Sequence, residues 1–148
     1  MRGITKSFGP VQACAGVDLT VHAGDILGLL GENGAGKTSL MNVLFGTYAA
    51  DSGTIEVEGR RVGIRNSADA LNFGIGMVHQ HFELVPRHTV LENLLVGRAG
   101  PDGRLSRRTI TERLERIGRD FHLELDPDRL VGDLSVGEQQ RVEIAKSL

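Results

Sequence analysis

Hydrophobic and polar residues alternate along short segments in the first half of the chain. Positions 17–22 alternate in this way, which predicts a half-buried strand that ends at the Ala-Gly-Asp turn of residues 23–25. Positions 54–58 repeat the pattern and predict a strand that forms a hairpin through Gly59 and Arg60. The front of the chain therefore favours an antiparallel β element.

Other segments carry different patterns. Residues 26–30 and 75–79 are mostly apolar without alternation, which predicts strands buried on both faces, as in a parallel sheet. A short helix is predicted at 68–73, and residues 98–108, rich in Gly, Pro and Arg, predict a solvated loop. Apolar residues at helical spacing predict a longer helix over 109–122, with one face formed by Ile110, Leu114, Ile117 and Phe121. The order of elements indicates an α/β fold.

A glycine-rich motif lies between a predicted strand and a predicted helix. Residues 31–38 read Gly-Glu-Asn-Gly-Ala-Gly-Lys-Thr, directly after 26–30 and directly before the helical pattern of 39–45. This is the complete GxxxxGK[ST] pattern of a phosphate-binding loop, in the structural context that the motif requires. The alternative is a glycine-rich turn that carries Lys-Thr by accident. The flanking pattern favours a nucleoside triphosphate site.

The chemistry of phosphate binding explains these residue types. Gly31, Gly34 and Gly36 allow the main chain to curl closely around phosphate oxygens, which its N–H groups then bind. The helix that follows adds its N-terminal N–H groups and the positive end of its dipole. Lys37 supplies a cation for the β- and γ-phosphates, and the Thr38 hydroxyl is predicted to bind Mg2+. ATP and Mg2+ are therefore the predicted ligands.

Composition narrows the class of protein. The 148 residues carry 17 Lys and Arg against 19 Asp and Glu, a net charge of -2, so no basic surface for nucleic acid or an anionic membrane is indicated. A single cysteine, Cys14, excludes an internal disulfide and favours a reducing compartment. No apolar run approaches the roughly 20 residues of a membrane span. We expect neither nucleic-acid binding nor direct membrane insertion.

A second motif lies near the end of the sequence. Residues 134–141 read Leu-Ser-Val-Gly-Glu-Gln-Gln-Arg and precede an apolar-periodic helix. Together with the phosphate-binding loop and with Gln80, this segment resembles the nucleotide-binding subunit of an ABC transporter. Residues 77–86 are similar to ATPases of the simple-sugar or nucleoside importer type. The resemblance implies an α/β P-loop NTPase core with an antiparallel β subdomain and a helical subdomain, incomplete at the C-terminus.

The resemblance also implies a division of the chain and a set of nucleotide contacts. Residues 1–148 would form a partial nucleotide-binding domain, with the β subdomain and P-loop core at 1–86, the helical subdomain at 87–135 and the signature helix at 136–148. The implied ATP-binding residues are Phe8, Asn33, Gly34, Ala35, Gly36, Lys37, Thr38 and Ser39.

Individual roles follow from the same resemblance. Phe8 would stack on adenine, although an ordinary edge-strand aromatic is the alternative. Lys37 and Gln80 would be the catalytic residues; Gln80 would hold Mg2+ together with Thr38, position the attacking water and sense the membrane subunit. The alternative for Gln80 is an ordinary loop residue without a catalytic role.

The signature segment would bind the ATP held by an opposing nucleotide-binding domain. The implied contacts are Leu134, Ser135, Val136, Gly137 and Glu138. Val136 stands where the family commonly has glycine, and Glu138 where it commonly has glutamine. From the residues alone, Ser135 and Glu138 also predict a capping box at the start of the last helix. The implied partners are a second nucleotide-binding domain, on the same or another chain, and transmembrane permease subunits.

Some hallmarks of the family have no counterpart in the sequence. No four apolar residues are followed by Asp-Glu, so the Walker B aspartate, the glutamate that polarises water and the switch histidine are missing. We therefore expect the front part of an ABC ATPase, inactive in hydrolysis alone.

In the complete protein, the resemblance implies an ATP-hydrolysing subunit, cytoplasmic and peripheral on the inner face of the membrane, that powers import of a sugar or nucleoside. A soluble ABC-type ATPase acting on DNA or ribosomes is one alternative. A non-catalytic nucleotide-binding remnant is the other.

Overall fold

The computed structural model describes residues 1–79, 82–96 and 107–148 of the chain. These residues form two compact units, Met1–Gly76 and Met77–Leu148. The predicted subdomain boundaries at residues 86 and 135 remain predictions.

The first unit contains a four-stranded antiparallel sheet. Its strands, in the order β2-β1-β3-β4 across the sheet, are β1 (Arg2–Phe8), β2 (Val11–Val17), β3 (Ser52–Val57) and β4 (Arg60–Val62). Val57 pairs with Arg60, so the turn between β3 and β4 consists of Glu58 and Gly59, both with positive φ angles. The predicted hairpin is confirmed, and its turn lies one residue earlier than expected.

Two helices accompany this sheet, α1 (Lys37–Leu44) and α2 (Ser67–Asn72). The helix predicted at 68–73 is thus confirmed with a shift of one residue, because Asn66 caps its start by accepting the N–H of Asp69. The buried core of the unit joins the sheet to α1 and consists of Ile4, Cys14, Leu40, Val43 and Ile55.

The strand predicted at 17–22 is wrong, since β2 ends at Val17. Beyond β2, aspartate side chains accept hydrogen bonds from main-chain N–H groups. Asp18 accepts the N–H of Gly3 at 2.6 Å, and Asp25 accepts the N–H of His22 at 2.9 Å. Short polar side chains of this kind compete with the backbone and favour turns.

The two strands predicted to be buried at 26–30 and 75–79 are also wrong for the residues that the structure describes. Neither segment forms a strand, and Ile26 and Leu30 have relative exposures of 102% and 93%. An apolar strand of a parallel sheet needs a hydrogen-bonded neighbour at its edge and cover on its faces. No strand in the described ranges pairs with either segment.

The second unit is helical. Its helices are α3 (Val90–Leu95), α4 (Arg107–Phe121) and α5 (Val136–Ser147), with a 3-10 turn at Val131–Asp133. Its core consists of Val90, Leu91, Leu94, Ile110, Leu114, Ile117, Val131, Leu134, Val142 and Ala145.

Helix α4 confirms the prediction of a long amphipathic helix, with two differences. It begins at Arg107, so the last two residues of the predicted loop are helical, while residues 98–106 of that loop lie outside the described residues. Phe121 is 55% exposed although it was predicted on the buried face. It is the last helical residue, and His122 turns away with a positive φ.

The start of α5 has the predicted capping box. Ser135 accepts the N–H of Glu138, and Glu138 accepts the N–H of Ser135 at 2.8 Å. The Ser135 hydroxyl also donates to this carboxylate at 2.8 Å, and Arg129 binds its other oxygen at 2.7 Å. The hydrogen bonds from Ser135, followed by the Arg129 guanidinium, lower the pKa of Glu138 from its ordinary 4.5 to about 2.

A matched pair of substitutions on α5 tests the packing of this unit. Val142 is fully buried and Val136 is 71% exposed. We expect Val142→Ala to lower the free energy of unfolding by about 2 kcal/mol, since it leaves a cavity. Val136→Ala should change it by less than about 0.5 kcal/mol, because the side chain is largely in solvent and its removal leaves no cavity. Urea denaturation followed by circular dichroism measures both, and equal effects would contradict the assigned core.

The pKa of Glu138 predicts a pH dependence. Because the pKa is lowered on folding, the stabilisation by the carboxylate is complete above pH 4.5 and is lost as the pH falls towards about 2. Glu138→Gln keeps an acceptor oxygen but cannot ionise. We expect wild type to be the more stable protein above pH 4.5 and the difference to vanish near pH 2. Urea midpoints measured across this range would show it, and a constant difference would exclude the assigned interaction.

Candidate functional site: a phosphate-binding loop and a helix N-terminus

The glycine-rich segment of the first unit runs directly into α1. Gly34 and Gly36 have φ angles of 85° and 87°, which side chains disfavour, and Gly36 also lies against β2. A Cβ atom at Gly36 would lie 2.0 Å from the carbonyl oxygen of Ala13. Gly31 has no positive φ, and a Cβ there would make only an ordinary contact, so its predicted conformational role is not needed in this structure. The close contact between loop and sheet fixes the start of α1.

The N-terminus of α1 has no cap from a side chain. Gly36 is the N-cap residue, and the first turn contains no acidic residue. Helix geometry leaves the N–H groups of residues 37–39 without acceptors within the helix. These donors and the positive end of the helix dipole favour an anion at this position.

Lys37 crosses back over the loop. Its Nζ donates to the carbonyl oxygens of Gly31 and Glu32, both at 2.7 Å. The ammonium group is thus held next to the loop by neutral acceptors, without a carboxylate partner among the described residues. A phosphate oxygen would be a stronger acceptor than either carbonyl, because both partners would then be charged.

Phe8 lies at the end of β1 and is 41% exposed. Its ring makes an edge-to-face contact with Tyr48 at 5.1 Å between centroids, and the ammonium of Lys6 lies 5.5 Å from its centroid. Lys6 is held in turn by Asp51 at 2.9 Å. The side-chain hydrogen bond from Lys6 and the main-chain N–H of Ser7 lower the pKa of Asp51. Phe8 is therefore a supported, partly exposed aromatic ring.

The residues that support the loop and the ring were not predicted from the sequence. Tyr48, Asp51 and Ala13 are far from their partners in sequence, and none belongs to a motif, so no signal in the sequence marks them. The contacts themselves depend on the pairing of β1 with β2 and β3.

The second unit presents the signature segment at the N-terminus of α5. Ser135 is the N-cap, and Gly137 is exposed with open space around it. Leu134 is 8% exposed and belongs to the core, while Val136 points towards solvent. The hydroxyl of Ser135 is engaged by Glu138. The helix start is thus accessible at residues 135–137, with its serine hydroxyl already bonded.

Other predicted features can be placed only in part. Gln80 lies outside the described residues. Thr38 is exposed in the first turn of α1, and its predicted bond to Mg2+ remains a prediction. Across residues 1–79, 82–96 and 107–148, no group of three or more His, Cys, Asp or Glu side chains is arranged to hold a metal. None of the helices in these ranges is long and apolar enough to cross a membrane.

Comparison with known proteins places these motifs in a family. The sequence profile described as ABC transporter matches residues 14–148. The ribose import ATP-binding protein RbsA of Caldanaerobacter subterraneus is 47% identical over the whole chain, and the guanosine import ATP-binding protein NupO of Bacillus subtilis is 44% identical. The chain spans 30% of the length of the first relative and 29% of the second.

Solved structures show the same fold. The crystal structure of an ATP-binding cassette of an ABC transporter in its ADP conformation matches 99% of the chain with a TM-score of 0.83 and 30% identity, and 62% of that cassette is covered. A dimeric bacterial ABC transporter cassette matches with a TM-score of 0.71 and 25% identity, over 99% of the chain and 67% of the cassette. The phosphate-binding loop, the signature segment and these similarities together show that the chain belongs to the ABC transporter family and has the fold of its ATP-binding cassette.

Proposed function

We propose that the chain is the ATP-binding front part of a subunit that powers solute import. The observation that carries this proposal is the loop of residues 31–36, which leads into the uncapped N-terminus of α1 with the Lys37 ammonium beside it. In this proposal, main-chain N–H groups of the loop and of α1 bind the phosphates. Lys37 exchanges its two carbonyl acceptors for oxygens of the β- and γ-phosphates.

Magnesium is the proposed cofactor of the bound nucleotide. Thr38 offers an exposed hydroxyl oxygen in the first turn of α1, and hard oxygen ligands are those that Mg2+ prefers. Gln80 is proposed as a further ligand and as the residue that positions the attacking water. When bound, the ion neutralises phosphate charge.

The adenine ring is proposed to stack on Phe8. The ring is 41% exposed and supported by Tyr48, so little conformational entropy is lost when a base stacks on it. This arrangement favours the stacking role over that of an ordinary edge-strand aromatic.

The signature segment is proposed to bind a second ATP, held by an opposing nucleotide-binding domain. Ser135 and the N–H of Gly137 would meet the γ-phosphate at the N-terminus of α5. Because the Ser135 hydroxyl is bonded to Glu138, closure would require that hydroxyl to turn from the carboxylate to the phosphate. The dimeric assembly of a similar cassette supports a partner of this kind.

The complete protein is proposed to hydrolyse ATP at the inner face of the membrane, with permease subunits as partners. The similar proteins are named as import ATP-binding proteins for ribose, guanosine and nucleosides. These solutes share a sugar ring, so a sugar or nucleoside is the proposed cargo. Hydrolysis is proposed for the complete protein, because the chain spans only 30% of the length of a similar import ATP-binding protein.

The role of Lys37 can be tested by titration calorimetry with Mg-ATP. We expect Lys37→Ala to weaken ATP binding at least about 30-fold, since a charge-assisted contact to phosphate is lost. Binding of adenosine, which has no phosphate, should not change. Unchanged ATP affinity in a folded variant would refute the assigned phosphate site.

The role of Phe8 has a matched control in the other unit. Phe8 and Phe121 are both partly exposed aromatic residues, at 41% and 55%. We expect Phe8→Ala to weaken ATP binding about tenfold through the loss of stacking, and Phe8→Tyr to retain it. Phe121→Ala should have no effect. Equal ATP affinities of Phe8→Ala and wild type would contradict the stacking role and would indicate that Phe8 is an ordinary edge-strand aromatic residue.

A further inference from the structure

An irregular segment of the second unit is held by side chains instead of by a neighbouring strand. Residues 82–85 form neither helix nor strand. The N–H of Glu83 donates to Oε1 of Glu143 at 2.7 Å, and Nζ of Lys146 donates to the carbonyl oxygen of Glu83 at 2.8 Å. Both main-chain polar groups of Glu83 are therefore bound by α5.

Val85 is bound in the same manner by α3. Its N–H donates to Oδ1 of Asn93 at 2.7 Å, and Nδ2 of Asn93 donates back to its carbonyl oxygen at 3.0 Å. Asn93, Glu143 and Lys146, which we name the clamp residues, thus supply the hydrogen-bond partners of the main chain at residues 83 and 85.

Two of the three clamp residues, Asn93 and Glu143, are buried polar residues, whereas Lys146 is half-buried. Asn93 and Glu143 are 2% and 3% exposed, and they are the fully buried polar residues of the described ranges. Burying a polar group is unfavourable unless it is hydrogen-bonded. Leu84, between the two clamped residues, packs into the helical core. The segment is therefore fixed to α3 and α5 by its main chain and by one apolar side chain.

The clamp residues of α5 connect two segments to which the proposed function gives roles in ATP binding and hydrolysis, the signature segment and the chain near Gln80. Ser135 and Gly137 start α5, and Glu143 and Lys146 lie further along the same helix. Glu83 follows Gln80 by three positions in the sequence. Because both contacts to Glu83 lie on the helix that begins after Ser135, a shift of α5 would move the groups that bind the main chain of Glu83.

We propose that Glu143 and Lys146 are positioning residues for ATP hydrolysis, which act through Glu83 by fixing residues 82–85 to α5. This inference rests on the proposed function, since it assumes that the start of α5 binds nucleotide and that the chain near Gln80 takes part in hydrolysis. In this proposal, the signature segment and residues 82–85 move together.

The test uses the complete protein with its membrane partner, and measures kcat and KM for ATP together with amide exchange of residues 82–85. We expect Glu143→Ala to reduce kcat about tenfold with KM changed less than about twofold, because an N–H loses its acceptor while the phosphate loop is untouched. Exchange at residues 82–85 should accelerate. Glu143→Gln, which keeps an acceptor oxygen, should restore both.

Two substitutions of Lys146, which is only half-buried, provide a second test that does not disturb the buried core. Lys146→Met is expected to reduce kcat with little change of KM, and Lys146→Arg to retain it. Glu115→Ala, which removes an exposed carboxylate on α4, is the control and should match wild type. Faster exchange at residues 82–85 with unchanged kcat in the Ala and Met variants would overturn the inference, as would a Gln variant as slow as the Ala variant. A wild-type protein that does not bind ATP would instead refute the proposed function.

Discussion

The need to satisfy main-chain polar groups outside regular secondary structure governs both candidate functional regions. Buried or crowded N–H and C=O groups must find partners, and neither region obtains them from a sheet. The loop of residues 31–36 leads through positive-φ glycines into the uncapped start of α1, where N–H groups lack acceptors within the helix. In residues 82–85, side chains from α3 and α5 supply the partners. The first arrangement leaves donors for the proposed phosphate site, and the second fixes residues 82–85 to α3 and α5.

The N-termini of α1 and α5 differ in whether a side chain caps their main-chain N–H groups. The start of α1 has glycine as its N-cap and leaves its N–H groups open. The start of α5 is closed by Ser135 and Glu138, with Arg129 balancing the carboxylate. A phosphate can approach α1 without displacing a cap, whereas at α5 it competes with Glu138 for the serine hydroxyl. The proposed function uses this difference, with a nucleotide site at α1 and a phosphate contact at α5 that forms only when the serine hydroxyl is released.

Motif-based predictions succeeded where the relevant interactions are local. The capping box of Ser135 and Glu138, the β3–β4 hairpin and the amphipathic face of α4 all depend on residues within a few positions of one another. Predictions failed where an element needs a distant neighbour. Residues 26–30 have the composition of a buried strand, but they pair with no strand in the described part of the chain and stay exposed. The apolar composition of a segment indicates a preference for burial, but the segment forms a strand only when a neighbouring strand pairs with it.

The order of residues was sufficient to identify the family, because the two motifs that carry the resemblance consist of contiguous residues. Tertiary structure alone decided which side chains support them. Tyr48 braces Phe8, Ala13 approaches Gly36, and Glu143 and Lys146 hold Glu83 from 60 and 63 positions away. Such contacts leave no periodic or spaced signal in the sequence, since they arise only when strand pairing and helix packing bring remote segments within hydrogen-bonding or van der Waals distance.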